Sequence, residues 1–201
     1  MKLNLLKKLT VLLAIYFISV ANLSAQNKKN QILPFDTTLT SSTIPKKWAD
    51  IQVQEINSTE MQTLLQKDKS KLKWIGIYSS SCSGTRYLLE YYLQMKKKYP
   101  DNVALFLISS DNYKDIIHLK KTLYRYKIFE QTYILDATYG SPKDDRERGR
   151  KFRNEMSTEC EKDELGVPYH MVYNSKLKLL FHGYPNFGND YPSDIISYFI
   201  K

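Results

Sequence analysis

Two apolar runs, Trp74-Ile75-Gly76-Ile77-Tyr78 and Val103-Ala104-Leu105-Phe106-Leu107-Ile108, each lead into a stretch with helical spacing. Runs of that length without polar alternation suit strands covered on both faces. After the first, Tyr87, Leu88, Tyr91, Tyr92 and Met95 recur near the 3.6-residue period until Tyr99-Pro100-Asp101-Asn102 ends the helix. After the second, Ser109-Ser110-Asp111-Asn112 opens a helix bearing Ile116, Ile117, Leu119, Leu123 and Tyr126. Strand, helix, strand, helix in that order makes parallel neighbours. An α/β fold around a central sheet is predicted.

The flanking segments extend this pattern. Asp50 to Ile56 reads as an edge strand, and Ser58 or Thr59 caps a short helix running to about Lys67. Thr132 to Asp136 is one more short strand. The charged stretch Asp144 to Glu164 forms an inserted helix with Phe152, Met156 and Cys160 spaced by four on one face. Tyr169 to Tyr173 and Leu177 to Phe181 make a hairpin across Asn174-Ser175-Lys176, and Tyr191 to Ile200 closes the chain as a helix presenting Ile195, Ile196 and Phe199. No internal repeat is visible. A chain of 201 residues holds one ordinary domain with an extension, here residues 49–201.

The amino-terminal end has a different character. Residues 1–25 carry a basic start (Lys2, Lys7, Lys8), an apolar stretch from Leu9 to Val20 and the small-residue ending Leu23-Ser24-Ala25. That layout is a secretory signal peptide, too short in its apolar part for a membrane span. Export to the periplasm or the extracellular space is expected, with no stable span after cleavage. Residues 26–48 follow as a polar arm that need not be packed. Cleavage leaves 27 basic and 21 acidic residues, a net charge of +6. Those charges are scattered and interleaved with acids, as on solvated helix faces, and do not form a nucleic-acid footprint. Seven Gly and seven Pro with ample Tyr, Ile and Leu exclude collagen-like and disordered classes.

Two cysteines are too few for a disulfide-dense miniprotein or an all-cysteine zinc site. Cys82 lies where a buried strand gives way to a helix. There unpaired N–H groups and the positive end of the helix dipole favour an anion and lower a thiol's pKa from about 8.5 toward neutrality. Gly84 lets the chain turn closely around the sulfur, and the Thr85 hydroxyl is placed to donate to it. The bland alternative is a small buried Cys packed beneath the sheet. The neighbouring Ser and Thr residues favour the reactive reading.

The segment Ile75-Gly76-Ile77-Tyr78-Ser79-Ser80-Ser81-Cys82-Ser83-Gly84-Thr85-Arg86, followed some 80 residues later by Gly166-Val167-Pro168-Tyr169, resembles the thioredoxin superfamily. The inserted helix before Pro168 is similar to its secreted TlpA-like and redoxin branch. The resemblance spans residues 50–201 and rests mainly on element order. It implies a thioredoxin-like α/β fold with a central mixed sheet flanked by helices, Cys82 as nucleophile, and a cis Pro168 facing it. Val167 then offers its backbone to substrate, with Ser81, Ser83 and Gly84 beside the thiol. Ser81 stands where the family usually has Trp, and Thr85 where it has the resolving Cys, so the motif is C-x-x-T. A lone nucleophile depends on an external thiol for release of a mixed disulfide. Peroxidase activity is disfavoured, since Ser79 stands where peroxiredoxins carry Thr.

Cys160, eight residues before Pro168, is either a displaced resolving thiol for Cys82 or one more core residue of its stripe. His118, His170 and His182 are isolated, though strand alternation puts His170 on the face of Pro168. No metal-ligand spacing or phosphate loop is present, and no cofactor is called for. Two functions follow. One is exported thiol–disulfide exchange through Cys82 with protein or small-molecule thiols and disulfides as partners. The other is a redox-inactive thioredoxin-like module holding a partner peptide beside Pro168. The sequence leaves substrate, electron direction and oligomeric state open.

Overall fold

The structure, a computed structural model, describes residues 31–38, 44–140, 145–162 and 166–183 together with positions 196, 199 and 200. Its strands are β1 (Val53–Ile56), β2 (Leu72–Tyr78), β3 (Val103–Ser109), β4 (Thr132–Leu135), β5 (Tyr169–Asn174) and β6 (Leu179–Gly183). The helices are α1 (Ser58–Lys67), α2 (Thr85–Lys98), α3 (Ile116–Arg125) and α4 (Asp145–Met156). They build a six-stranded mixed sheet in the order β1-β4-β3-β2-β5-β6. The first four are parallel, and β5 and β6 run antiparallel beside β2.

The uninterrupted apolar reading of β2 is explained by its central place, with all seven residues buried. Its period of two divides the core. Leu72, Trp74 and Tyr78 face α2 and α3, packing with Leu88, Tyr91, Tyr92, Leu119 and Leu123. Ile75 and Ile77 face α1 and α4, packing with Met61, Leu65, Phe152 and Met156. Gly76 belongs to the first face and has no room for a side chain, because an added Cβ would lie 2.2 Å from the Trp74 ring. This is the thioredoxin-like arrangement that the resemblance implied.

Several local expectations shift. Asn57, rather than Ser58 or Thr59, caps α1: its side chain accepts from Glu60 N while the Glu60 carboxylate accepts from Asn57 N, a reciprocal capping box. The hairpin turn is longer than a tight three-residue link. Asn174 Oδ1 accepts from the N–H groups of Lys176 and Lys178, Leu177 adopts φ +60, and β6 starts only at Leu179. The inserted segment is α4 followed by a 3-10 turn at Thr158–Lys162. The polar arm is docked where it is described: Leu33 N–H donates to Val53 O, and Glu55 N–H donates to Leu33 O, in a parallel bridge on the outer edge of β1. Phe35 packs against the α1–α4 side of the core. The described residues from Ile32 onward belong to one compact unit, while residues 1–25, expected from the sequence to be a signal peptide, lie outside the described residues. So does most of the segment 191–200, predicted as the closing helix; its buried Ile196 packs with the α2–α3 side.

Candidate active site

β2 ends at Tyr78, and the chain crosses from it to α2 through residues 79–84. Two backbone bonds shape this crossing: Cys82 N–H donates to Ser79 O at 3.0 Å, and Thr85 N–H donates to Cys82 O at 3.1 Å. The helix therefore starts later than the sequence suggested. Gly84 is the N-cap, and Cys82 stands two residues before it. Gly84 has φ −69 and ψ −19, a conformation open to any residue, so the turn makes no use of glycine's freedom.

The antiparallel pairing of β5 with β2 sets Tyr169 opposite Ile77. The residues just before Tyr169 thus arrive at the end of β2 that carries the Cys82 loop. The Val167–Pro168 peptide there is cis. Cys82, half-buried, points its Sγ at this peptide and donates to Val167 O at 3.5 Å. Ser81 and Ser83 flank the thiol and are exposed, whereas Gly84, Val167 and Pro168 are buried.

Thr85 does not do what the spacing suggested. Its hydroxyl is buried and donates its single proton to Ser79 O at 2.5 Å, which leaves none for the sulfur. Its position after Gly84 turns it inward, toward the loop's backbone. Cys160 is wholly buried in the core beside Phe152 and Met156, as its four-residue stripe allowed, and no disulfide joins it to Cys82. A resolving role would require Cys160 to leave that packing.

His170 is likewise held away from the chemistry. Trp74 Nε1–H donates to its Nδ1 at 2.9 Å, and its ring lies 5.3 Å from Trp74 and 5.7 Å from Tyr91. Burial pushes its pKa down to about 3, so the ring is neutral and carries its proton on Nε2. His182 Nδ1 lies 2.9 Å from the Tyr169 hydroxyl at the sheet edge. His118, by contrast, does reach the loop, with Nε2 3.2 Å from Ser80 O.

Two groups at the site were not anticipated. Asp111 sends its carboxylate into the Cys82 loop, where it accepts from the Ser79 hydroxyl and Ser80 N–H. The signal was available in principle, since Asp111 follows the parallel strand beside β2. The other is α4. Arg153 Nη1 donates to Gly166 O at 3.1 Å while its guanidinium lies 4.2 Å from the centre of the Tyr169 ring. Gly149 brings the helix backbone close enough that an added Cβ would lie 3.0 Å from Val167 Cγ1. Helix α4 is anchored by Glu155, which accepts from the Ser58 and Tyr139 hydroxyls, and by Arg148, which donates to Leu135 O. The inserted helix is thus a brace on the cis peptide. Among the described residues, no cluster of His, Cys, Asp and Glu could hold a metal, and no helix is long and apolar enough to cross a membrane.

No protein-family model and no curated protein matches the sequence. Among solved structures, the chain is similar to the pneumococcal exposed lipoprotein thioredoxin from Streptococcus pneumoniae, at 14% identity and TM-score 0.46 over 67% of this chain and 87% of that one. It is also similar to the thioredoxin domain of a thiol-disulfide oxidoreductase from Bacteroides vulgatus, at 15% identity and TM-score 0.42 over 58% of this chain and 71% of that one. A thiol:disulfide interchange protein from Chlorobium tepidum matches at 14% identity and TM-score 0.42, over 61% and 72%. The strand order, with the strand-to-helix loop after β2 facing the start of β5, defines a thioredoxin-like fold.

Proposed function

We propose that this is an exported protein that exchanges thiols and disulfides through Cys82 alone. The observation that carries this reading is the half-buried Cys82 thiol on the loop between β2 and α2, 3.5 Å from Val167 O. The Cys82 thiolate attacks one sulfur of a substrate disulfide, forming a mixed disulfide and releasing the other sulfur as a thiolate that takes a proton from solvent. A second, external thiol, having lost its proton to solvent, then attacks the substrate sulfur of the mixed disulfide as a thiolate, forming a new disulfide and releasing Cys82 as its thiolate. Thr85 supplies no second thiol, so release depends on that external partner. Val167 O, freed from the Cys82 thiol, is placed to meet a substrate peptide's N–H. Export rests on the layout of residues 1–25.

The test compares wild type with Cys82→Ser in turnover of a mixed disulfide with a small-molecule thiol. Loss of about a hundredfold or more is expected, because the hydroxyl is a far poorer nucleophile at neutral pH. Unchanged turnover sinks the proposal and leaves the peptide-holding module, for which the thiol is dispensable.

A further inference from the structure

Asp111 lies two residues beyond β3, and its side chain is 1% exposed. The β2–β3 register sets Tyr78 beside Ser109, so the acid emerges directly alongside the loop that leaves β2. Its Oδ1 accepts from the Ser79 hydroxyl at 2.7 Å, and the Ser80 N–H is shared between Oδ1 and Oδ2 at 2.9 and 3.0 Å. Ser79 has one hydroxyl proton and spends it on Asp111, so Ser81 Oγ, 2.8 Å away, must donate to Ser79. Every hydroxyl hydrogen in this chain points inward, from Ser81 to Ser79 to the carboxylate. The Ser79 carbonyl in turn accepts from Cys82 N–H and from the Thr85 hydroxyl. Asp111 holds Ser79, and Ser79 holds Cys82.

Among the described residues no Lys or Arg pairs with this carboxylate. The titratable group that faces it is the buried Tyr78 hydroxyl from β2; His118 from α3 reaches the neighbouring Ser80 O, and Cys82 follows Ser80 by two residues on the same loop. A buried carboxylate with hydrogen bonds but no cation is costly. Simple loop support could be supplied by a neutral acceptor.

We infer that Asp111 is a positioning residue for Cys82, fixing the thiol's loop through Ser79 and Ser80 with a carboxylate bonded to that loop. This rests on Cys82 being the reacting group. The experiment follows iodoacetamide alkylation of Cys82, located by mass spectrometry, across pH in the full chain, for wild type, Asp111→Asn and Ser79→Ala, with thermal melts of each. Asp111→Asn keeps the shape and removes the charge. Its alkylation midpoint is expected to move to lower pH by about half a unit or more, since a neighbouring negative charge disfavours a thiolate. Ser79→Ala keeps the carboxylate. Its midpoint stays at the wild-type value, while the plateau rate changes by about threefold or more as the Cys82 anchor loosens. Profiles of both variants that superimpose on wild type overturn the assignment. If Asp111→Asn does not fold, the Ser79→Ala plateau decides alone. Wild-type protein without disulfide turnover, but with these shifts, overturns the exchange function and leaves Asp111 standing. Turnover with superimposable profiles does the reverse.

Discussion

The Cys82 thiol donates to the Val167 carbonyl at 3.5 Å, joining residues 85 positions apart at the end of the central strand. The contact satisfies a backbone acceptor that is otherwise buried, and it aims the sulfur toward the place where a substrate backbone would lie. In the proposed exchange a substrate peptide would replace the thiol as partner of that carbonyl.

Thr85 supports the loop rather than the sulfur, because its hydroxyl donates to Ser79 O. Thr85→Val keeps the shape and removes that bond. A loss of about 1 kcal/mol in unfolding free energy is expected. Ser79 O still accepts from Cys82 N–H, so the alkylation rate of Cys82 should stay within about twofold of wild type. Denaturant melts and alkylation kinetics together check this. A tenfold slower alkylation at unchanged stability would restore the direct hydroxyl-to-sulfur contact.

Arg153 is fully buried, with a bond to Gly166 O and its guanidinium over Tyr169. Arg153→Met preserves much of the apolar stem but removes both contacts. A destabilisation of about 2–4 kcal/mol is expected, together with slower exchange at Cys82, as the Val167 backbone loses its brace. Arg153→Lys should not rescue it, since an ammonium lacks the planar guanidinium that stacks on a ring. Equal midpoints for the three proteins in guanidinium unfolding would refute the brace.

His170 gives the fold an acid sensitivity. Burial lowers its pKa from 6.5 to about 3. Between those values the unfolded chain binds a proton that the folded chain refuses, so stability falls as pH falls. His170 costs nothing above its unfolded pKa, and below it the loss grows by about 1.4 kcal/mol per pH unit until the folded pKa is reached. Urea melts at about pH 7 and about pH 4.5 should show this, and His170→Gln, which retains an acceptor for Trp74, should flatten it. An equally steep acid limb in the variant would assign the sensitivity to other groups.

The strands and helices were legible where one physical requirement dominated. The apolar β2 run reports burial on both faces, β3 is only partly covered at Ala104, Leu105 and Phe106, and the period of α2 reports one packed face. Positions decided by hydrogen bonds were harder to read. Asn57 won the α1 cap because Glu60 could reciprocate, and Thr85 turned to the Ser79 carbonyl. Cys82 was singled out by its place between a buried strand and a helix, and Pro168 by the resemblance. Asp111 and Arg153 were not, because each acts on the site from an element distant in sequence, and only the β2–β3 register and the docking of α4 bring them there.

The bridge between Leu33 and the outer edge of β1 occupies hydrogen-bonding groups that a bare terminal strand would offer to any neighbour. The leader is in this sense a selvedge on the sheet. A chain trimmed to begin at Ile51 would keep its thiol and its brace, yet would present Val53 O and Glu55 N–H as an adhesive margin through which molecules could stack.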